Sequence, residues 1–281
     1  MSVPESLRQS YDDNWIVSHF DKSLSEGCIY IYLQPQVDMK GNILGAEVLA
    51  RWIEKNGDMI PVGQFIPALI NAELITRMDL YIWETAVKKL SEWKGTPLEK
   101  IHLSVNVEPN DIVKIDVPSK LKELCRRHHV DISKIHVEIT ERGFDEDFSL
   151  PDDTIAAFHK NGITVEIDDF GRGGSALSLL KDLDVDALKL DRGFISPSSE
   201  NHNLRGKIIL ECVIGLAKKL KTLLIVEGVE TGRQKQCIQN AGCNIYQGFY
   251  FSEPIPVTEF ETLFLKTANA LESKKHQHRT V

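Results

Sequence analysis

The stretch "VEIDDFGRGGS", residues 165–175, sets two adjacent aspartates, Asp168 and Asp169, at the end of an apolar run and follows them with glycines. Two like charges in a shielded pocket repel unless a cation, a proton or a hydrogen-bond donor compensates them. Taken alone, the stretch fits two readings. Either Asp168 starts a turn and Asp169 caps the next helix, or the pair holds a cation. The other β-type runs favour the second. Glu47, Asn106, Glu138, Lys189 and Glu227 each lie in or at the end of a separate run, and Gln247 sits on the last. Carboxylates and a carboxamide converging through oxygen describe a site for hard divalent cations such as Mg²⁺ or Mn²⁺. Adjacent aspartates suit two ions, one carboxylate bridging and the other binding only the second. Sites with two ions about 3.5–4 Å apart serve phosphate-ester hydrolysis. The expected reaction class is cleavage of a phosphodiester or a phosphomonoester.

The elements that must position these residues alternate along the chain. The strand-like runs are "CIYIYLQP", "ILGAEVLARW", "IHLSVNV", "IHVEIT", "ITVEIDD", "ALKL", "TLLIVEG" and a short one near "IYQGFYF", eight in all. Amphipathic stretches such as "RMDLYIWETAVKKLSEW" and "LRGKIILECVIGLAKKL" separate many of them. Eight strands interleaved with helices predict an α/β fold of the closed (β/α)₈ TIM-barrel type, with an open doubly wound sheet as the competing arrangement. Polar residues at successive strand ends favour the barrel, whose strands converge on one mouth.

The 281 residues, 42% of them hydrophobic, suffice for one such barrel. The expected division is an N-terminal helical extension over 1–25, the barrel over 26–270 and a frayed tail over 271–281. A net charge of −8 argues against nucleic acid or an anionic membrane as partner. Five scattered cysteines, Cys28, Cys125, Cys212, Cys237 and Cys243, show no paired spacing for zinc or a disulfide framework. No leader-like or membrane-spanning run is evident, so a cytoplasmic protein is expected.

Several segments together resemble the EAL domain, the bacterial cyclic di-GMP phosphodiesterase family. They are "YLQPQVD", "GAEVLARW", "LSVNV", "EITE", "IDDFG", "LKLDRGFI", "VEGVET" and "GCNIYQGFYFSEP", in the family's order between about residues 28 and 265. The resemblance implies hydrolysis of one phosphodiester bond of cyclic di-GMP to linear 5′-pGpG with two Mg²⁺ or Mn²⁺ ions. It assigns Glu47, Asn106, Glu138 and Asp168 to the first ion, and Asp169 and Glu227 to the second, with Asp168 shared. Lys189 lies beside the attacking water in this assignment, as a proton acceptor or as a fixed charge, and Glu227 joins it in the catalytic pair. Arg51, four residues after Glu47 and on the same strand face, is placed against a substrate phosphate. Gln34, Leu49, Gln247 and Pro254 match the lining of the nucleotide pocket. Glu141, Asp191 and Glu230 match supporting positions, Glu141 anchoring the loop after Asp168–Asp169. The resemblance also implies a homodimer.

The chain departs from the family pattern in two places. Valine stands in the signature Glu47-Val48-Leu49 where the family name has alanine. More consequentially, the loop reads Arg172, Gly173, Gly174, Ser175, Ala176, with glycine where an aromatic is usual. Glycine loses more freedom on ordering than any other residue, so lowered basal activity is expected from this loop. A non-catalytic cyclic di-GMP receptor is the competing function, although receptors of this family usually lack one or more ligands. An unrelated metal-dependent barrel is disfavoured because no histidine falls at a strand end. His102 and His136 lie near strand starts, away from the expected mouth, and read as structural; His128-His129 reads as a solvated helix terminus.

Overall fold

The computed structural model describes residues 11–144, 150–151, 153–172, 180–181, 183–195 and 200–277, with side chains left undescribed at 200–204 and 269–277. Eight strands close a barrel: β1 (Ile29–Asp38), β2 (Ile43–Ile53), β4 (His102–Asn106), β5 (Ile135–Thr140), β6 (Thr164–Phe170), β7 (Ala187–Leu190), β8 (Leu223–Val226) and β9 (Ile245–Tyr246). Two short strands, β3 (Met59–Ile60) and β10 (Ile255–Pro256), extend β2 and β1 beyond the ring. From β2 round to β9 all neighbours in the ring are parallel.

β1 differs. It runs antiparallel to both β2 and β9, a departure from the all-parallel ring of the usual (β/α)₈ barrel. The cause is local. Only residues 39–42 separate β1 from β2, far short of the dozen or more residues a parallel crossover needs. The Asp38 carboxylate closes this turn by accepting from the backbone N–H of Lys40 and of Asn42, each at 2.8 Å, and Gly41 takes φ +82°.

Strand residues alternate between an apolar outer face and a polar inner one. Val48, Leu103, Val105, Val137, Ile139, Val165, Ile167, Leu188 and Leu190 are buried and form the hydrophobic layer beneath the surrounding helices. Barrels of this type are normally filled by branched apolar side chains. Here Glu47, Ser104, Glu138, Glu166, Lys189 and Gln247 are buried instead, so the interior is polar.

Helix α1 (Asp13–Ser25) belongs to the packed body and is not a loose extension. Ile16 and Phe20 are fully buried, and Trp52 at the end of β2 gathers Trp15, Phe20 and Phe65 around it at ring separations of 5.9–6.0 Å. At the other end, the C-terminal helix runs Val257–Gln277, through much of the region where a frayed tail was expected. Ala, Leu, Glu and Lys continue its helix-forming composition, and neither Gly nor Pro interrupts it. No helix of the described residues is long and apolar enough to cross a membrane.

After β9, Gly248 takes φ +152° and lies against the Val229 backbone, so that an added Cβ would meet Val229 N at 2.3 Å and O at 2.4 Å. Gly248→Ala should therefore lower stability by more than about 2 kcal/mol, read as a lower denaturant midpoint in chemical unfolding. Gly63→Ala, on a helix with nothing within 4 Å of the new Cβ, should leave the midpoint unchanged or slightly raised.

Candidate metal centre at the barrel mouth

The paired aspartates sit on a β-bulge. Ile167 pairs with Leu188 and Phe170 with Leu190, so Asp168 and Asp169 together oppose the single residue Lys189. Asp169 adopts φ +54°, a left-handed conformation that non-glycine residues rarely take. Such bulges re-aim side chains, and here the two carboxylates part company. Asp168 Oδ1 faces Lys189 Nζ at 3.1 Å, whereas Asp169 Oδ2 meets Arg172 Nη1 at 3.0 Å in a half-exposed pair.

Lys189 is the centre of the group and only 1% exposed. Its Nζ lies 2.6 Å from Glu138 Oε2, 2.8 Å from Glu227 Oε1 and 3.1 Å from both Glu47 Oε2 and Asp168 Oδ1. Four carboxylates thus face one ammonium, and the cluster is strongly acidic in formal charge. Burial opposes the lysine's charge, but the four acids outweigh it and raise the pKa well above the ordinary 10.5. Glu138 is also raised well above its ordinary value, first by burial and then by Glu47. Burial, aided by Asp168 and Glu47, pushes Glu227 up to about 8.

The site is sunk deeper than the strand ends. Glu138 and Lys189, expected at strand ends, lie inside their strands, as does Glu47. Glu227 follows its strand directly. Amide side chains hold Glu47 in place: Gln247 Nε2 donates to Glu47 Oε2 and, at 3.1 Å, to Gln34 Oε1. Gln34 Nε2 in turn donates to the Ser252 carbonyl at 3.3 Å.

Asn106 ends β4 opposite Glu138 in register, and its carbonyl accepts from Trp83 Nε1 at 2.9 Å. Arg51 donates through Nη1 to the Ala50 carbonyl at 2.8 Å, with its guanidinium 5.4 Å from the Tyr32 ring centroid. Tyr32 was not singled out from the sequence. The β1–β2 register, which opposes Tyr32 to Leu49, two residues from Arg51, is what brings it beside the guanidinium. Leu49 and Pro254 are both partly buried.

Buried Glu141 accepts from the Gly171 backbone N–H at 2.8 Å, tying the turn after β5 to the residue after β6. Asp191 caps the turn at Arg192–Phe194 by accepting from Gly193 N–H at 2.8 Å. Glu230 is exposed, and its backbone N–H donates to Gln234 Oε1 at 2.9 Å. Of the altered loop, Arg172 is described, and Gly173 to Ala176 lie outside the described residues.

The donor set suits a hard cation, being built of carboxylates with Asn106 beside them. Glu138 Oε1 is buried with no hydrogen-bond partner among the described residues, and Asp168 Oδ1 has only the ion pair with Lys189. Lone pairs left in that state, within a cluster of surplus negative charge, fit cation binding.

The raised carboxyls make metal-free stability depend on pH. Between its ordinary 4.5 and about 8, Glu227 holds a proton in the folded protein that the unfolded chain lacks. Its contribution is thus complete below pH 4.5 and is lost as the pH rises to about 8. Asp79, raised by burial and by Asp111, acts in the same direction. In calorimetry the metal-free protein should melt several degrees lower at pH 8 than at pH 5. Glu227→Gln should flatten part of that slope, and Mg²⁺ or Mn²⁺ should raise the melting temperature more at pH 8 than at pH 5.

The profile of the EAL domain matches residues 18–254. The probable cyclic di-GMP phosphodiesterase PdeB of Escherichia coli (strain K12) is 32% identical over 234 residues, which make up 83% of this chain and 44% of PdeB. The E. coli cyclic di-GMP phosphodiesterase PdeR is 27% identical, over 92% of this chain and 39% of its own. The chain therefore spans less than half the length of these relatives. Among solved structures, PaMucR phosphodiesterase in complex with c-di-GMP superposes with a TM-score of 0.78 at 27% identity, covering 87% of this chain and 99% of that one. The EAL domain of Mycobacterium smegmatis DcpA gives 0.70 at 30% identity, over 86% and 97% respectively. Matched across residues 18–254, this chain belongs to the EAL domain family.

Proposed function

We propose that this chain is a metal-dependent phosphodiesterase that hydrolyses cyclic di-GMP to linear 5′-pGpG. The observation that carries the reading is the convergence of Glu47, Glu138, Asp168 and Glu227 on buried Lys189, in a family member whose relatives PdeB and PdeR are named for this activity. Glu47, Asn106, Glu138 and Asp168 would hold one divalent ion. Glu227, with Asp168 and with Asp169 once its carboxylate leaves Arg172, would hold a second. Ions held there would acidify a water and offset the negative charge that develops on the phosphate oxygens.

The chain's own groups do the rest. Lys189 holds the carboxylates together and places a positive charge among them. In the metal-free protein the surrounding carboxylates hold its pKa well above the ordinary 10.5, so the ammonium is charged there. The amides of Gln247 and Gln34 set the position of Glu47. Arg51, steadied by Ala50 and Tyr32, keeps further N–H donors for a phosphate oxygen. Leu49 and Pro254 line the path of the base. Glu141 fixes Gly171, and through it the strand end that carries both aspartates.

The direct test is to incubate the protein with cyclic di-GMP and Mg²⁺ or Mn²⁺, with an EDTA control, and to follow the nucleotide by chromatography. Metal-dependent pGpG is expected; binding without product would support the receptor function instead. Lys189→Met should lower kcat by about 10²–10⁴-fold with nucleotide binding largely kept. A change confined to KM would assign Lys189 to binding. Glu47→Ala should abolish turnover even at saturating metal.

A further inference from the structure

Below the mouth, the floor of the barrel interior holds a second group of ligand-type side chains. His102 opens β4, His136 is second in β5 and Glu166 is third in β6. Each stands an even number of residues before a mouth residue (Asn106, Glu138 and Asp168), so all three face the interior. The two imidazoles stack, with ring centroids 3.9 Å apart and planes at 10°. His136 Nδ1 lies 2.7 Å from Glu166 Oε1, which also accepts from the Ser104 hydroxyl at 3.2 Å. His102 Nε2 lies 3.1 Å from Gln36 Oε1.

One ligand atom from each of His102, His136 and Glu166 falls within 4.8 Å of the others. Glu166 is 1% exposed, and its Oε2 is buried with no hydrogen-bond partner among the described residues. Gly45 leaves the space that the His102 ring fills, since a Cβ there would stand 2.1 Å from Nε2. Both histidines are only partly buried and sit at strand starts, so the group can be reached from the end of the barrel opposite the mouth.

We propose that His102, His136 and Glu166 form a metal site separate from the mouth, selective for a borderline transition ion of the Zn²⁺ or Co²⁺ kind. Two imidazole nitrogens and one carboxylate are the donor set such ions take, in contrast to the all-oxygen mouth. With bonds of about 2.0–2.1 Å in tetrahedral geometry, donors stand about 3.3 Å apart. Binding therefore requires the stacked rings to turn out of parallel so that their in-plane lone pairs converge on the ion. The proton bridging His136 and Glu166 leaves as the ion enters. Gln36 Oε1, Glu166 Oε2 or a water can complete the fourth position. Because Glu166 is the cross-strand partner of Glu138, a cation on the floor also offsets negative charge beneath the mouth.

The test is a titration of the metal-free full chain with Co²⁺ in excess Mg²⁺, read by visible absorption. One equivalent should give the intense bands of a tetrahedral, nitrogen-ligated ion, and Zn²⁺ should bleach them. His102→Phe, which keeps a ring over Gly45, and Glu166→Gln, which keeps the side chain's shape, should each weaken Co²⁺ binding by more than about tenfold. Asp168→Asn at the mouth should retain the bands. No bands in the unaltered chain would overturn the proposal. So would equal binding in His102→Phe and Glu166→Gln, or bands lost in Asp168→Asn but kept in His102→Phe, which would place the ion at the mouth.

Discussion

A single buried ammonium faces four carboxylates in the barrel interior, and much else in the molecule follows from that imbalance. Lys189 contributes from β7, Glu47 from β2, Glu138 from β5, Asp168 from the bulge in β6 and Glu227 from just after β8. Taking such charges out of water costs several kcal/mol per ion unless partners compensate. Burial, together with neighbouring carboxylates that Lys189 offsets only in part, pushes Glu138 and Glu227 up. A further cation is the remaining way to neutralise the cluster without protonating it. Structure and chemistry thus meet in one electrostatic demand.

That demand is tolerable because the strands separate their two faces. Outward residues such as Val105, Val137, Val165 and Leu188 are buried against the helices and supply the hydrophobic stabilisation that an ordinary barrel shares with its interior. The inward residues are then free to be polar, from Gln36, His102 and Glu166 at the floor to Gln247 and Glu227 above. Rigid backbone placement makes the polar column specific. The Asp168–Asp169 bulge, the Gly248 contact with Val229 and the Glu141 tie to Gly171 each fix one strand end that carries a site residue.

Much of this was legible in the sequence, because strand periodicity puts residues two apart on one face. The β-rich runs and their polar members mark the barrel and its mouth directly. The antiparallel β1 was legible too, in the four-residue link before Ile43, but only when link length is weighed alongside periodicity. What periodicity cannot supply is depth and direction. It marked Glu138 and Lys189 as strand ends, yet both lie within their strands. It also grouped Asp168 with Asp169, whereas the bulge and the left-handed backbone at Asp169 turn the second carboxylate toward Arg172. The floor cluster escaped for a similar reason. His102 and His136 each read as ordinary strand-start residues, and only parallel pairing of β4 with β5 stacks their rings.

Calorimetric titration of the metal-free protein with Mn²⁺, repeated in buffers of different ionisation enthalpy, tests the central claim most directly because it counts the protons that binding displaces. If the mouth is an over-charged carboxylate cluster held by Lys189 and completed by cations, Mn²⁺ binding should release about one proton or more near pH 7 and tighten as the pH rises. Binding that released no protons, or no binding of Mn²⁺ or Mg²⁺ at all, would contradict it.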